Sequence, residues 1–232
     1  MRPVREVSSR PLQIDKIVRT GRKTLALVVD SQGRLVVRAP LRLPRADIVE
    51  FVNRQADWIR SRQDRVLAMR REAVPKRFVD GECFLYLGKS YPLRIVTRAA
   101  QPLLLGQSFE LDRAARPQAR SVFEDWYRRQ ARQVIIGLVA RHPNASAGLK
   151  SIRITSARTR FGSCSSLATL SFPWRLVMAP LEVVDYVVVH ELVHLSVKNH
   201  SRAFWLRVES LLPDYRVRRD WLRANGHRLR LD

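Results

Sequence analysis

At 232 residues and 46% apolar content, the chain is long enough for one large domain or two small ones and can bury a real core. No stretch approaches the roughly 18 apolar residues of a membrane-spanning helix. The two cysteines, Cys83 and Cys164, are too few and too far apart for a disulfide framework or a CxxC motif. The charge is 43 basic against 21 acidic residues, net +22, so the surface attracts polyanions. The basic residues are scattered with no long block, which also fits simple arginine bias.

The N-terminus has no apolar run of a secretory signal, which with the two thiols predicts a cytoplasmic protein. Alternation predicts a strand near Ile14 to Val18. A hairpin follows, from Leu25, Leu27 and Val29 through a turn at Asp30 to Gly33 into Leu35 to Val37. Apolar residues near i+3 and i+4 then predict one helix over 45–72, with arginines on its outer face. Strands return between Phe78 and Val96 and between Leu103 and Leu111. A seam at Arg113 to Pro117 divides a β-rich region with one long helix, residues 1–115, from a second region, 116–232.

Residues 118–141 carry the stripe Val122, Phe123, Trp126, Val134, Ile135 and Leu138, ended by His142-Pro143-Asn144. His142 reads as a helix-end residue. A strand at Ile152 to Thr155 and another from Thr169 flank Arg158 to Ser166, which could offer a strand edge to an extended peptide over Gly162 to Phe172. Two short helices, 201–212 and 214–225, close the chain, with Gly226 as a stop.

The helix from Leu181 to Leu195 is apolar nearly all round, and such a helix is buried. It contains His190-Glu191-x-x-His194. Residues four apart project from one face of a helix, about 40° apart, so the two imidazoles can aim at one point. Glu191 lies about 100° round from His190, within reach of a metal-bound water without being a ligand. Two histidines on zinc with a glutamate as general base is the metalloprotease arrangement. His200 cannot join the pair on a straight helix. It can if the helix stops after His194 and the chain turns back at Lys198-Asn199, where Asn199 tolerates a left-handed conformation. Three protein ligands with a fourth position left for water is the catalytic zinc pattern. An oxyanion needs a further donor; Arg160, Tyr186, Asn199 and His227 are candidates for transition-state or substrate contacts.

The stretches R-F-G-S-C-S, W-R-L-V-M-A-P, D-Y-V-V-V-H-E-L-V-H-L and N-H-S-R-A-F-W resemble the YgjP-like metallopeptidase family, related to the WLM and SprT-like zinc proteases. V-R-A-P at 37–40, D-W-I at 57–59, D-G-E at 80–82 and Y-L-G-K at 86–89 extend the resemblance over nearly the whole chain. Phe161 departs from the tryptophan usual there. The resemblance implies an α+β, zincin-like core with an N-terminal β-rich extension. It implies zinc on His190, His194 and His200, with Glu191 catalytic. The histidine spacing also equals that of the metzincins, but Val197 stands where their glycine would, and Met178 is the last methionine.

The reading that follows is a zinc-dependent hydrolase, a metallopeptidase acting on peptide or protein. Two alternatives stay open on the net charge: a metal-dependent nucleotide phosphohydrolase, and a basic nucleic-acid-binding module with structural zinc.

Overall fold

The computed structural model describes residues 12–30, 32–71 and 75–231. The N-terminal residues read above for a signal, and the end of the helix expected to reach residue 72, lie outside the described residues. The chain is α+β and divides into two compact units, Met1–Val74 and Pro75–Asp232.

In the first unit, β1 (Lys16–Thr20) runs parallel to β3 (Leu35–Pro40), and β2 (Ala26–Val29) pairs antiparallel with β3, giving the order β1-β3-β2. The β2–β3 hairpin turns on Asp30, whose Oδ1 accepts the N–H of Gln32 and of Arg34 at 2.8 and 3.0 Å. Alternation along β3 sends Leu35, Val37 and Ala39 into a core shared with Ile48, Val52 and Ile59. The single helix expected over 45–72 is two: α1 (Arg45–Arg54) and α2 (Ala56–Arg71). Gln55 leaves helical geometry, at φ −103° and ψ 17°. The apolar pattern cannot encode that step, because Ile48, Val52 and Ile59 reach the same core on either side of it.

The second unit begins with a four-stranded sheet of β4 (Cys83–Tyr86), β5 (Lys89–Val96), β6 (Leu103–Leu105) and β7 (Phe109–Asp112), ordered β4-β5-β7-β6. It packs on α3 (Ala119–Ala140) through Phe84 and Phe109 against Phe123 and Trp126. The shared aromatic core is why the compact units part at Val74, not at the expected seam of 113–117. Tyr127 is fully buried and its hydroxyl donates to the Leu85 carbonyl at 2.6 Å, so the phenol is held neutral.

Three further strands, β8 (Ser151–Thr155), β9 (Ser163–Cys164) and β10 (Thr169–Pro173), form a sheet of order β8-β10-β9. β8 and β10 are parallel, and β9 lies antiparallel at the edge. A 3-10 turn, Trp174–Met178, leads through Pro180 into α4 (Leu181–Val193). The tip of the β4–β5 hairpin grips this turn: Leu87 and Gly88 donate their N–H groups to the carbonyls of Val177 and Met178 at 2.8 and 3.3 Å. Helices α5 (Arg202–Leu211) and α6 (Tyr215–Asn225) complete the unit.

Asp185 in mid-α4 bonds His142 Nε2 at 3.0 Å and Arg218 of α6 at 3.0 Å, fixing α4 from both sides. His142 stands just past the end of α3, as expected for a helix-end residue. No helix among the described residues is long and apolar enough to cross a membrane.

Candidate metal centre

The centre is built at the C-terminal end of α4. Nine residues of this helix are buried, including Val183, Val187 and Val188 on the sides away from the histidines. The helix ends at Val193, with His194 as its cap, so the expected stop falls where the sequence placed it. The next turn closes tightly: the N–H of Val197 bonds the Val193 carbonyl at 2.9 Å. Asn199 takes no left-handed conformation, contrary to the expectation. Its side-chain oxygen instead accepts the N–H of Ser201 at 3.3 Å, and this local turn brings the chain back.

His200 thereby meets the other two. Its Nε2 lies 3.0 Å from His190 Nε2 and 3.2 Å from His194 Nε2. Among the described residues, these three are the group able to hold a metal ion. The His194 tautomer is set by its partner: the Val197 carbonyl, 3.0 Å away, can only accept, so Nδ1 carries the proton and Nε2 presents a lone pair. His200 Nε2 can donate a proton to one neighbour, not to both, which leaves lone pairs facing one another. A cation among the three nitrogens satisfies all of them. Tetrahedral zinc with Zn–N of about 2.0–2.1 Å sets its ligand nitrogens about 3.3 Å apart, close to the separations seen. Burial also favours the ligand form of the histidines. It pushes His190 down to about 3, with repulsion from His194 and His200 adding to the effect, and lowers His194. The residues present therefore fit a metal ion.

An aromatic bed supports the triad. Phe204, fully buried, has its ring centroid 4.9, 4.5 and 4.8 Å from those of His190, His194 and His200. Trp205 stacks on His200 at 5.9 Å and on Tyr215 at 5.5 Å. Sequence reasoning did not single out Phe204 or Trp205. Their spacing supplied a signal, because Phe204 stands one helical turn beyond His200.

Glu191 is 5% exposed. Burial raises its carboxyl to about 7, against a smaller lowering by the Arg160 charge. Gly162 lies directly against it: a Cβ there would stand 2.3 Å from Glu191 Oε1, so only glycine leaves room for the carboxylate. This residue too was missed as an individual site residue, although it lies in the R-F-G-S-C-S stretch. Phe161 is gripped between the Arg175 guanidinium, 5.8 Å from its ring centroid, and Gly226, where a Cβ would stand 2.7 Å from the ring. Gly226 thus ends α6 without a left-handed conformation, at φ −57°, and its lack of a side chain serves that close approach.

The other candidates are spread around the centre. Tyr186 sits one turn before His190 with ring centroids 6.0 Å apart; burial raises its phenol to about 12. Arg160 is exposed and acts on Glu191 through its charge. Asn199 is committed to its own turn, and His227 lies in the 3-10 turn Gly226–Arg228. Burial raises the Cys164 thiol on β9, and Cys164 is not part of the metal group.

No curated protein matches this chain. The family described as YgjP-like, metallopeptidase domain, matches residues 23–225. That family implies a metal ion and a protein or peptide substrate, and the three histidines meet the first requirement by their geometry. From the coverage of the match, which takes in both compact units, and from the metal-competent triad beside a buried glutamate, the chain belongs to the YgjP-like metallopeptidase family.

Proposed function

We propose that this protein is a zinc-dependent peptidase in which His190, His194 and His200 hold the metal and Glu191 is the general base. The observation that carries the reading is the convergence of three imidazole Nε2 atoms beside a carboxylate that is 5% exposed. Bound zinc supplies Lewis acidity toward a carbonyl and makes water acidic near neutral pH.

The chain's own residues do the rest. Glu191, poised at about 7, takes a proton from water and returns it to the leaving amine. Gly162 lets the main chain approach that carboxylate, and β9, at the sheet edge, offers backbone groups to an extended peptide. Tyr186 stays a neutral phenol and is the oxyanion donor we assign; Arg160 contacts substrate beside Glu191. Asn199 and His227 remain rim positions for substrate contact. Two free thiols, Cys83 and Cys164, suit a reducing compartment such as the cytoplasm.

Glu191→Gln tests the assignment. The variant keeps its zinc and loses about 10²–10⁴-fold in peptide turnover, because an amide cannot accept the proton. His194→Ala loses the metal itself. Near-normal turnover in Glu191→Gln would move the base elsewhere. Nucleoside triphosphate hydrolysis abolished by Glu191→Gln, with no peptide cleaved from an unbiased library, would replace the amide by a phosphoanhydride.

A further inference from the structure

The surroundings of the triad are cationic on more than one side. Arg160 stands two residues before Gly162, whose backbone touches the Glu191 carboxylate. Lys198 follows Val197, whose carbonyl holds His194, and precedes His200 by two residues. The Lys198 charge is felt both by His194 and by Cys164 on β9, which places the ammonium between the triad and the strand edge. Arg219 of α6 lies 5.5 Å over the Trp205 ring, and Trp205 stacks on His200. Three cations thus come from three separate segments of the chain, around neutral imidazoles and one carboxylate. Such a cleft carries net positive potential, and it selects the charge of what enters.

We propose that the peptide substrate is acidic, with carboxylate side chains beside the scissile bond taken by Arg160 on the β9 side and by Lys198 and Arg219 on the histidine side. This rests on the peptidase reading and names its substrate class. The strand edge favours a peptide as bearer of the charge: an extended chain laid along β9 sends alternate side chains to the same face, toward the cations flanking the edge. Arg160 and Lys198 are both exposed, so their contribution is one of recognition in solution and is screened by salt.

The test uses the zinc-loaded full chain and internally quenched peptides of one sequence, with Glu, Gln or Lys at the positions flanking the scissile bond. The Glu peptide has a KM about tenfold below the Gln peptide, and the Lys peptide has the highest. The gap narrows as salt is raised from low to about 0.5 M. Lys198→Glu, checked for unchanged zinc content, reverses the order, so that the Lys peptide now has the lower KM. Equal KM values for the three peptides overturn the proposal and leave the peptidase reading standing, as does a Glu preference that Lys198→Glu leaves intact. Cleavage of no peptide by zinc-loaded protein overturns the peptidase reading itself, and is a distinct result.

Discussion

The unit of residues 12–71 buries a few aliphatic side chains, Leu35, Val37, Ala39, Ile48, Val52 and Ile59, and no ionisable ones. The unit from Pro75 closes around rings: Phe84 stacks on Phe123 at 4.3 Å, Tyr127 on Trp174 at 5.7 Å, and Phe204 lies under three imidazoles. Within that larger core it also hides Arg175 and Glu191, each less than a tenth exposed. The difference shows what a buried charge requires. A carboxylate taken out of water costs several kcal/mol unless something compensates, and only a large, rigid core can hold it in place against that cost. The second unit can therefore carry a perturbed base, whereas the first has only the core of a small sheet-on-helix scaffold.

Phe204→Ala is the strongest way to break the contrast. It opens a cavity beneath the triad and is expected to cost about 3–5 kcal/mol of stability. The loosened imidazoles also weaken metal binding, read by competition with a chelating dye. If stability falls while metal affinity is unchanged, Phe204 is core and nothing more.

The electrostatic side of the contrast is tested by pH. The Glu191 value in the folded chain, about 7, lies above its ordinary 4.5, so ionisation favours unfolding. The destabilisation is absent below pH 4.5, grows as pH rises, and is complete above pH 7. In metal-free protein, Glu191→Gln removes it. Urea denaturation should find the variant equal to the parent at low pH and more stable by up to about 3 kcal/mol at pH 8. A difference that does not change with pH would refute this origin.

The smallest effect sharpens the comparison from the other side. Val37→Ala in the first unit is expected to cost about 2 kcal/mol. Calorimetry should show the loss, while zinc affinity stays at the parent value, because Val37 packs only within the small aliphatic core. A parallel loss of zinc affinity would join the two cores energetically.

Much of the centre was legible in the chain. The i, i+4 histidines, the helix stop after His194 and the return of His200 follow from spacing and from the all-round apolar character of α4. The mode of return was not legible: Asn199 was expected to bend its own backbone, and it instead accepts a hydrogen bond from Ser201. Both conformations suit asparagine, and sequence does not choose between them. The break at Gln55 was hidden because the apolar stripe continues through it, and the seam near residue 115 was misplaced because linker-like composition says nothing of which core a sheet joins.

The sequence by itself determined the chemistry: which donors exist, how far apart they stand along the chain, and that a helix apolar all round must be buried. Tertiary structure decided the environment. Gly162 touches Glu191 across 29 positions of sequence, Phe204 underlies all three histidines, and Arg160, Lys198 and Arg219 reach the same centre from separate segments. Spacing along a chain fixes geometry only within one helix or strand. The pKa of Glu191 and the charge of the cleft depend on desolvation and on Coulomb terms summed over whatever the fold brings near, and those neighbours are set only once the core has closed.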